Sequence, residues 1–283
     1  MIGVEKLKNF KSLKIPVNPT DIYKYRLKSF KPKIKVQFET SKYIVKTADS
    51  NLELIKALKL RHQVFFEKTK KLLKIDIDKY DMIADHLLLI DKNSLEIIGT
   101  YRLIGSNYSK EFYTESEFFI DNIKSIKDPI LEMGRACINS KYRNGITLSL
   151  LWNGISQYVY NGGYKYLFGC SSIFETNIEK IAFIYLYLKT RYYSKEYEAY
   201  PKINYKIFSL KKYIDFIEYI EPNYEKASDY IPALLEGYLK AGAKVCSEPA
   251  LDRKFNCVDF VTILDTEKLT KNFERKYKKE WAT

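Results

Sequence analysis

The stretch from Leu131 to Ser172 constrains this chain most. It reads LEMGRACINSKYRNG, then an apolar pattern at helical spacing, then YLFGCSS. The order is strand, basic glycine-containing turn, helix, strand. Glu132 and Arg135 sit inside the first strand, and Cys170-Ser171-Ser172 ends the second. Polar groups placed inside apolar elements need partners, so these residues either satisfy one another or carry chemistry.

Similar elements flank this unit. Leu52 to Glu67 reads as a helix whose Leu54, Leu58, Arg61 and Phe65 share one face. An unpaired guanidinium there would be costly, so Arg61 needs an anionic partner, from the protein or a ligand. Leu87–Ile90 and Glu96–Leu103 are short strands joined by a turn at Asp91-Lys92-Asn93-Ser94. Ile130–Asn139 and Tyr166–Ser172 are strands. The helix Thr147–Tyr160 between them buries Leu148, Leu151, Trp152, Ile155 and Val159. A strand is expected near Ile34–Phe38, a helix over Phe174–Tyr192, and a late strand at Val258–Leu264. Asp229 as N-cap, Pro232 and Gly242 bound another helix. Alternation without repeats predicts an α/β or mixed α+β fold. The expected divisions are a basic N-terminal arm (1–45), a catalytic core (46–192), a variable insertion (193–229), a C-terminal helix and strand completing the fold (230–270) and a basic tail (271–283).

Composition narrows the function classes. The formal charge is +13, and residues 1–50 hold twelve Lys/Arg against four Asp/Glu. Such a surface suits nucleic acid, an anionic membrane or an acidic protein, or it reflects drift toward lysine. No nucleic-acid-binding motif accompanies the charge, and no nucleic-acid partner is expected. Cys137, Cys170, Cys246 and Cys257 stand far apart without zinc-ligand spacing, so no metal is expected and reduced thiols in the cytoplasm are the simplest account. No signal-peptide pattern opens the chain, and the longest apolar run, Ile181 to Leu188, is far short of the roughly 20 residues that span a bilayer. Membrane contact is therefore expected to be peripheral.

Four groups of residues are candidates for chemistry. Glu132 and Arg135 would face opposite ways on a regular strand, but a bulge at Met133-Gly134 would bring them to one face and free a backbone N–H for an oxyanion. Glu132 could then accept a proton, or the two could form a structural ion pair. The turn Arg143-Asn144-Gly145 precedes a helix N-terminus that could hold phosphate, or it is an ordinary basic turn. DIDKYDMIADH supplies Asp76, Asp78, Asp81, Asp85 and His86. It lacks the glycine and glutamate of an EF-hand, and its carboxylates could hold a cationic substrate or pair with Arg61 and Arg102. His86 is the second candidate base. Glu248, Asp252, Asn256 and Asp259 are more polar groups than a strand edge needs, although turns could absorb two or three.

Several segments in order resemble the ornithine-lipid type of N-acyltransferase, a hemolysin-like branch of the Gcn5-related N-acetyltransferase superfamily. They are LRHQVFFEK from Leu60, DIDKYDMIADHLLLID from Asp76, IIGTYRLI from Ile97, FYTESEFFID from Phe112 and EMGRACINSKYRNG from Glu132. LLWNGISQYV from Leu150, YLFGCSS from Tyr166 and the long segment from Ile231 to Asp265 follow. The resemblance implies a mixed central sheet flanked by helices with an extended C-terminal part. It implies transfer of a (3-hydroxy)acyl chain from acyl carrier protein, whose acyl-phosphopantetheine is the donor, to the α-amine of ornithine or glycine. No permanently bound cofactor is implied. The superfamily's coenzyme-A loop normally has Arg/Gln-x-x-Gly-x-Gly/Ala, whereas here the glycine comes one residue early, which favours the carrier-protein donor. Acyl-homoserine-lactone synthases share the outline Arg61, Phe65, Asp78, Asp81, Arg102, Glu132, Arg135. That activity, acetyl-CoA-dependent N-acetylation and a non-catalytic basic binding protein are the alternatives.

On this reading Glu132, His86 and Arg135 are catalytic. Arg61, Asp78, Asp81, Asp85, Arg102, Glu248 and Asp252 bind substrate, with Arg102 or Arg135 on the acceptor carboxylate and Asp81 or Asp85 on a side-chain ammonium. Gly134, Ala136, Arg143, Asn144, Gly145, Cys170 and Ser171 bind the donor. Cys170 as a covalent nucleophile is the competing mechanism.

Overall fold

The structure, a computed structural model, describes residues 30–66, 74–220 and 223–270. The terminal segments 1–29 and 271–283, which carry most of the expected basic arm and the tail, lie outside the described residues.

In chain order the elements are β1 (Gln37–Glu39), β2 (Tyr43–Thr47), α1 (Asn51–Phe66), β3 (Asp85–Asp91), β4 (Ile97–Gly105), β5 (Phe118–Phe119), α2 (Asp121–Lys124), β6 (Ile130–Ile138), α3 (Gly145–Gly162), β7 (Tyr166–Ile173), α4 (Ile178–Tyr192), β8 (Tyr200–Pro201), α5 (Leu210–Ile220), α6 (Ala233–Ala241), β9 (Lys244–Val245), β10 (Ala250–Asp252) and β11 (Cys257–Asp265). Two 3-10 turns, Lys79–Met82 and Tyr113–Ser116, complete the part near the site.

Nine of the described strands form one large mixed sheet in the order β1-β2-β3-β4-β6-β7-β11-β10, with β9 also on β11, while β5 and β8 pair in a separate two-stranded sheet. All its neighbours are antiparallel except β6 and β7. The connection between β6 and β7 runs through α3, because parallel neighbours need a crossover connection. Period-2 alternation sends Leu87, Leu89, Tyr101 and Leu103 to one face, where α3 covers them with Leu151, Trp152, Ile155 and Tyr158. The opposite face puts Leu88 and Cys137 against Ala57 and Leu60 of α1. Further along, α4, α5 and α6 pack with Val258 and Phe260 of β11.

Several boundaries differ from the sequence reading. The sheet begins within the segment assigned to the arm, at β1, where a strand is expected near Ile34–Phe38, and at β2, which is not expected. The 193–229 segment contains α5, whose Leu210 and Ile217 are buried in the α4 cluster. Asp229 lies in a 3-10 turn over Glu225–Tyr230, and the cap of α6 is Pro232.

The local chemistry that places the site is simple. The Asn144 side chain accepts from the N–H groups of Ile146 and Thr147, starting α3, and Gly163 ends it in the left-handed region at φ 64°. The β6–β7 ladder runs from Ile130↔Tyr166 to Glu132↔Phe168 and stops, although both strands continue. A Cβ at Gly169 would stand 2.3 Å from the Met133 carbonyl oxygen, so only glycine allows the two strands to meet there before they diverge.

Candidate active site

Along the splay between β6 and β7 lies a small cleft walled by residues of β6, β7, β11 and the C-terminal end of α6. Met133, Leu167, Phe168, Gly169, Tyr238 and Ala243 make its wall mostly apolar, with Cys170 and Ser171 at its edge. Ser171 Oγ is 2.9 Å from Thr262 Oγ1, which fixes that hydroxyl to β11.

On β6 the bulge is at Arg135–Ala136. Two residues there oppose Tyr101 alone, between the pairs Thr100↔Cys137 and Arg102↔Gly134. The expected position, Met133-Gly134, is therefore two residues early. Arg135 itself takes the left-handed conformation (φ 51°), a cost that the ion pairs of its side chain offset. Gly134 has open space where a Cβ would stand.

The bulge brings Arg135 to the face that holds Arg102. Both guanidiniums reach Asp78, Arg102 at 2.8 Å and Arg135 at 3.2 Å. Arg61 completes the group. It is fully buried, donates to Asp76 (2.6 and 2.9 Å) and to Asp81 (2.6 Å), and Asp81 also accepts from Arg102 at 3.3 Å. Protein carboxylates, rather than a ligand, are thus the partners of Arg61. Three guanidiniums and three carboxylates form a closed network, and despite burial the arginines hold Asp76 and Asp78 below the usual carboxylate range. Asp78 and Asp81 also cap the 79–82 turn reciprocally. Asp81 therefore has no capacity left for a substrate ammonium.

Asp85 is not available for one either. It accepts from the N–H groups of Lys33 and Ile34 and from the Tyr158 hydroxyl, tying the start of the described chain to α3. His86 is fully buried, with Nε2 3.3 Å from the Asp81 carbonyl. Burial lowers its pKa to about 4, which makes it too weak a base for an ammonium.

Glu132 has a different setting from the one expected. It is 3% exposed and accepts from Tyr113 N–H (2.7 Å), Thr114 N–H (2.6 Å) and the Thr114 hydroxyl (2.6 Å). Both oxygens are engaged in anchoring the Tyr113–Ser116 turn. Burial raises its pKa against the opposing pull of those donors. Among the described residues no ion pair joins it to Arg135, so the two do not form the structural pair considered from sequence.

That anchored turn builds the rest of the site. The Tyr113 ring lies under two guanidiniums, Arg135 at 4.7 Å and Arg102 at 4.8 Å. Phe255 flanks Arg135 on another side at 4.8 Å and packs against Phe66. Arg135 Nε–H has no hydrogen-bond acceptor, since Asp76 Oδ2 is 3.6 Å away. Cys170 Sγ is 3.7 Å from Thr114 Oγ1, and burial with the nearby carboxylates Glu117 and Asp259 pushes the thiol well above its ordinary pKa. A neutral thiol is a poor nucleophile.

The remaining sequence candidates separate. Asp252 is buried and caps the 252–255 turn through Lys254 and Phe255 N–H. Glu248 is exposed and stands apart from this group. Arg143 is exposed and donates to the Ile138 carbonyl. Gly145 opens α3. Residues missed from the sequence are Glu117, Tyr113 and Thr114. Their signal was an acidic, aromatic segment (FYTESEFF) between two strands, too irregular to assign a direction to any side chain.

A family model described as an acetyltransferase (GNAT) domain matches residues 60–153. Among solved structures, an N-acyl amino acid synthase from uncultured soil microbes has a TM-score of 0.48 and 8% identity over 81% of this chain and 94% of that one. Among curated relatives, an L-ornithine N(alpha)-acyltransferase of Rhizobium meliloti (strain 1021) is 30% identical over 252 residues, 81% of this chain and 82% of its own. A second, from Agrobacterium fabrum, is 30% identical over 236 residues, 77% of this chain and 78% of its own. The chain belongs to this family of L-ornithine N(alpha)-acyltransferases and is an N-acyltransferase of the GNAT type.

Proposed function

We propose that this enzyme transfers a (3-hydroxy)acyl chain from the phosphopantetheine of acyl carrier protein to the α-amine of ornithine, giving a lyso-ornithine lipid. The observation that carries the reading is the splay of β6 and β7 above an apolar cleft, in a chain whose curated relatives are named for ornithine acylation. The apolar wall suits an acyl chain, and the diverging strand edges suit the amide-bearing arm. Asn144 already occupies the Ile146 and Thr147 N–H groups. A helix N-terminus with two donors filled favours the single phosphodiester of a carrier protein over the diphosphate of coenzyme A. The net charge of +13 favours an acidic carrier protein and an anionic membrane surface. No helix among the described residues is long and apolar enough to cross a membrane, which fits peripheral action at the cytoplasmic face.

In this mechanism Arg135, with its unused Nε–H, holds the acceptor carboxylate, because a guanidinium fork matches a carboxylate. Backbone N–H at the Gly134–Ala136 bulge stabilises the oxyanion. The free α-amine attacks the thioester carbon, the C–N bond forms as the C–S bond breaks, and the phosphopantetheine thiol leaves with a proton. No acyl-enzyme on Cys170 is needed. Glu132 serves by holding Tyr113 and Thr114 in place.

Mass spectrometry of purified enzyme with 3-hydroxyacyl carrier protein and a pool of amino acids tests the reading. The expected product is N-acylornithine. Product formed from acetyl-CoA alone, or a lactone formed with S-adenosylmethionine, would overturn it.

A further inference from the structure

A second charged cluster lies beside the first and is built differently. Asp252, Cys257 and Asp259 gather their side-chain oxygens and sulfur within 4.8 Å of one another, all buried. A third carboxylate arrives from a separate element. Glu117, which follows the turn anchored by Glu132, is 1% exposed, and its Oε2 has no hydrogen-bond partner. Its strongest neighbours are Asp259, the Tyr113 hydroxyl and Asp252. Asp259 accepts from Ser172 Oγ at 2.5 Å, has the Cys257 thiol at 3.6 Å and meets the Glu117 carboxyl directly, so its partners include no cation among the described residues. Among the described residues no Lys or Arg forms an ion pair with Glu117, Asp252 or Asp259.

Buried carboxylates without a cation are expensive, and a fold retains such a group where a ligand supplies the missing charge. The electrostatics agree: burial and the other carboxylates raise Glu117 to about 9 and push Asp259 upward. The place is also right. Cys170 connects the two: it is among the residues that line the cleft, and its thiol feels the charges of Glu117 and Asp259. Tyr113 stands between the two charge signs, with its ring under Arg135 and its hydroxyl beside Glu117.

We infer that Glu117, Asp252 and Asp259 form the seat of the acceptor's side-chain ammonium, with Arg135 across Tyr113 receiving its carboxylate. This inference rests on the reading of the acceptor as a diamino acid. It assigns specificity for a basic amino acid to residues that neither the Asp76–Asp85 segment nor the arginine network contains.

The test compares L-ornithine with L-norvaline, which has the same carbon skeleton without the terminal amine. Thermal unfolding of the full chain is followed with each amino acid in the wild type, Glu117→Gln and Asp259→Asn. Ornithine is expected to raise the wild-type Tm by several degrees more than norvaline, and both variants to lose that difference. In turnover with acyl carrier protein, the ratio of ornithine to norvaline kcat/KM is expected to fall at least about tenfold in Glu117→Gln. Equal stabilisation by the two amino acids in the wild type would overturn the inference. So would equal loss of both activities with an unchanged ratio, or a stoichiometric divalent metal in the purified protein that Asp259→Asn removes. Ornithine-specific, carboxylate-dependent stabilisation without any acyl transfer would support the seat while refuting the proposed reaction.

Discussion

The Arg61–Asp76–Asp78–Asp81–Arg102–Arg135 network and the Glu117–Asp252–Asp259 cluster meet at Tyr113, and they solve the problem of buried charge in opposite ways. In the first, each carboxylate meets a guanidinium at 2.6–3.2 Å. Nothing is left over except one Nε–H of Arg135. In the second, three carboxylates face one another, and their partners among the described residues are hydroxyls, a thiol and two backbone N–H groups, with no cation. The closed network is a scaffold: it fixes the turn over Lys79–Met82, the bulge of β6 and the position of Arg135. The open cluster has unsatisfied capacity, and unsatisfied capacity beside a cleft is what a ligand can use. The number of charges therefore says less about a binding role than whether they balance.

Breaking the closed network should have the largest effect. Arg61→Met leaves Asp76 and Asp81 buried without their main partner, and should cost about 3–5 kcal/mol of stability in urea denaturation. A loss below about 1 kcal/mol would mean that the network is not the scaffold described here.

Next comes the splay that both clusters serve. Gly169→Ala drives a Cβ into the Met133 carbonyl, and should cost about 1–3 kcal/mol and roughly 10²-fold in turnover as the strands shift. Unchanged kinetics would separate the strand divergence from catalysis.

The open cluster should show itself through pH. Glu117 and Asp259 have folded-state pKa values raised above their unfolded values, Glu117 to about 9. Their stabilising contribution is complete below the unfolded carboxylate pKa and is lost as pH rises toward 9. Tyr113, Tyr205 and Cys170 beside them are pushed upward and stay protonated through that window. Glu117→Gln removes the liability, so its Tm should exceed that of the wild type by an amount that grows between pH 5 and pH 9, reaching a few degrees. A constant difference across that range would show that Glu117 does not titrate there.

The smallest effect belongs to Cys170. With the thiol held neutral, Cys170→Ala should leave turnover within a few-fold of wild type in a steady-state assay. Abolished transfer with intact folding would restore the covalent mechanism.

Much of the fold was legible in the sequence because it rests on period and punctuation. The apolar stripe of α3, the turn after β3 and the strands β6 and β7 follow from local spacing, and each appears within a few residues of its expected range. Arg61 was legible for the same reason: a guanidinium on an apolar helix face demands a carboxylate, and DIDKYD was the nearest supply. Roles at the site were less legible. Glu132 looks like a base in sequence because it sits in a buried strand beside a bulge, yet the Tyr113–Ser116 turn claims both its oxygens. Asp85 looks like part of an acidic cluster, yet backbone N–H groups from residues 33 and 34 occupy it. These outcomes depend on which distant donor arrives first, and spacing along the chain carries no information about that.

The sequence by itself determined the sheet-and-helix alternation, the need of Arg61 for an anion and, through ordered segments, the family. Only the tertiary structure decided which carboxylates are spent and which are open. Glu117 and Asp259 are 142 positions apart in the chain. Each alone is an unremarkable acid near a strand end. Their significance comes from being placed together without a cation, and that is a property of three-dimensional charge balance rather than of any local pattern.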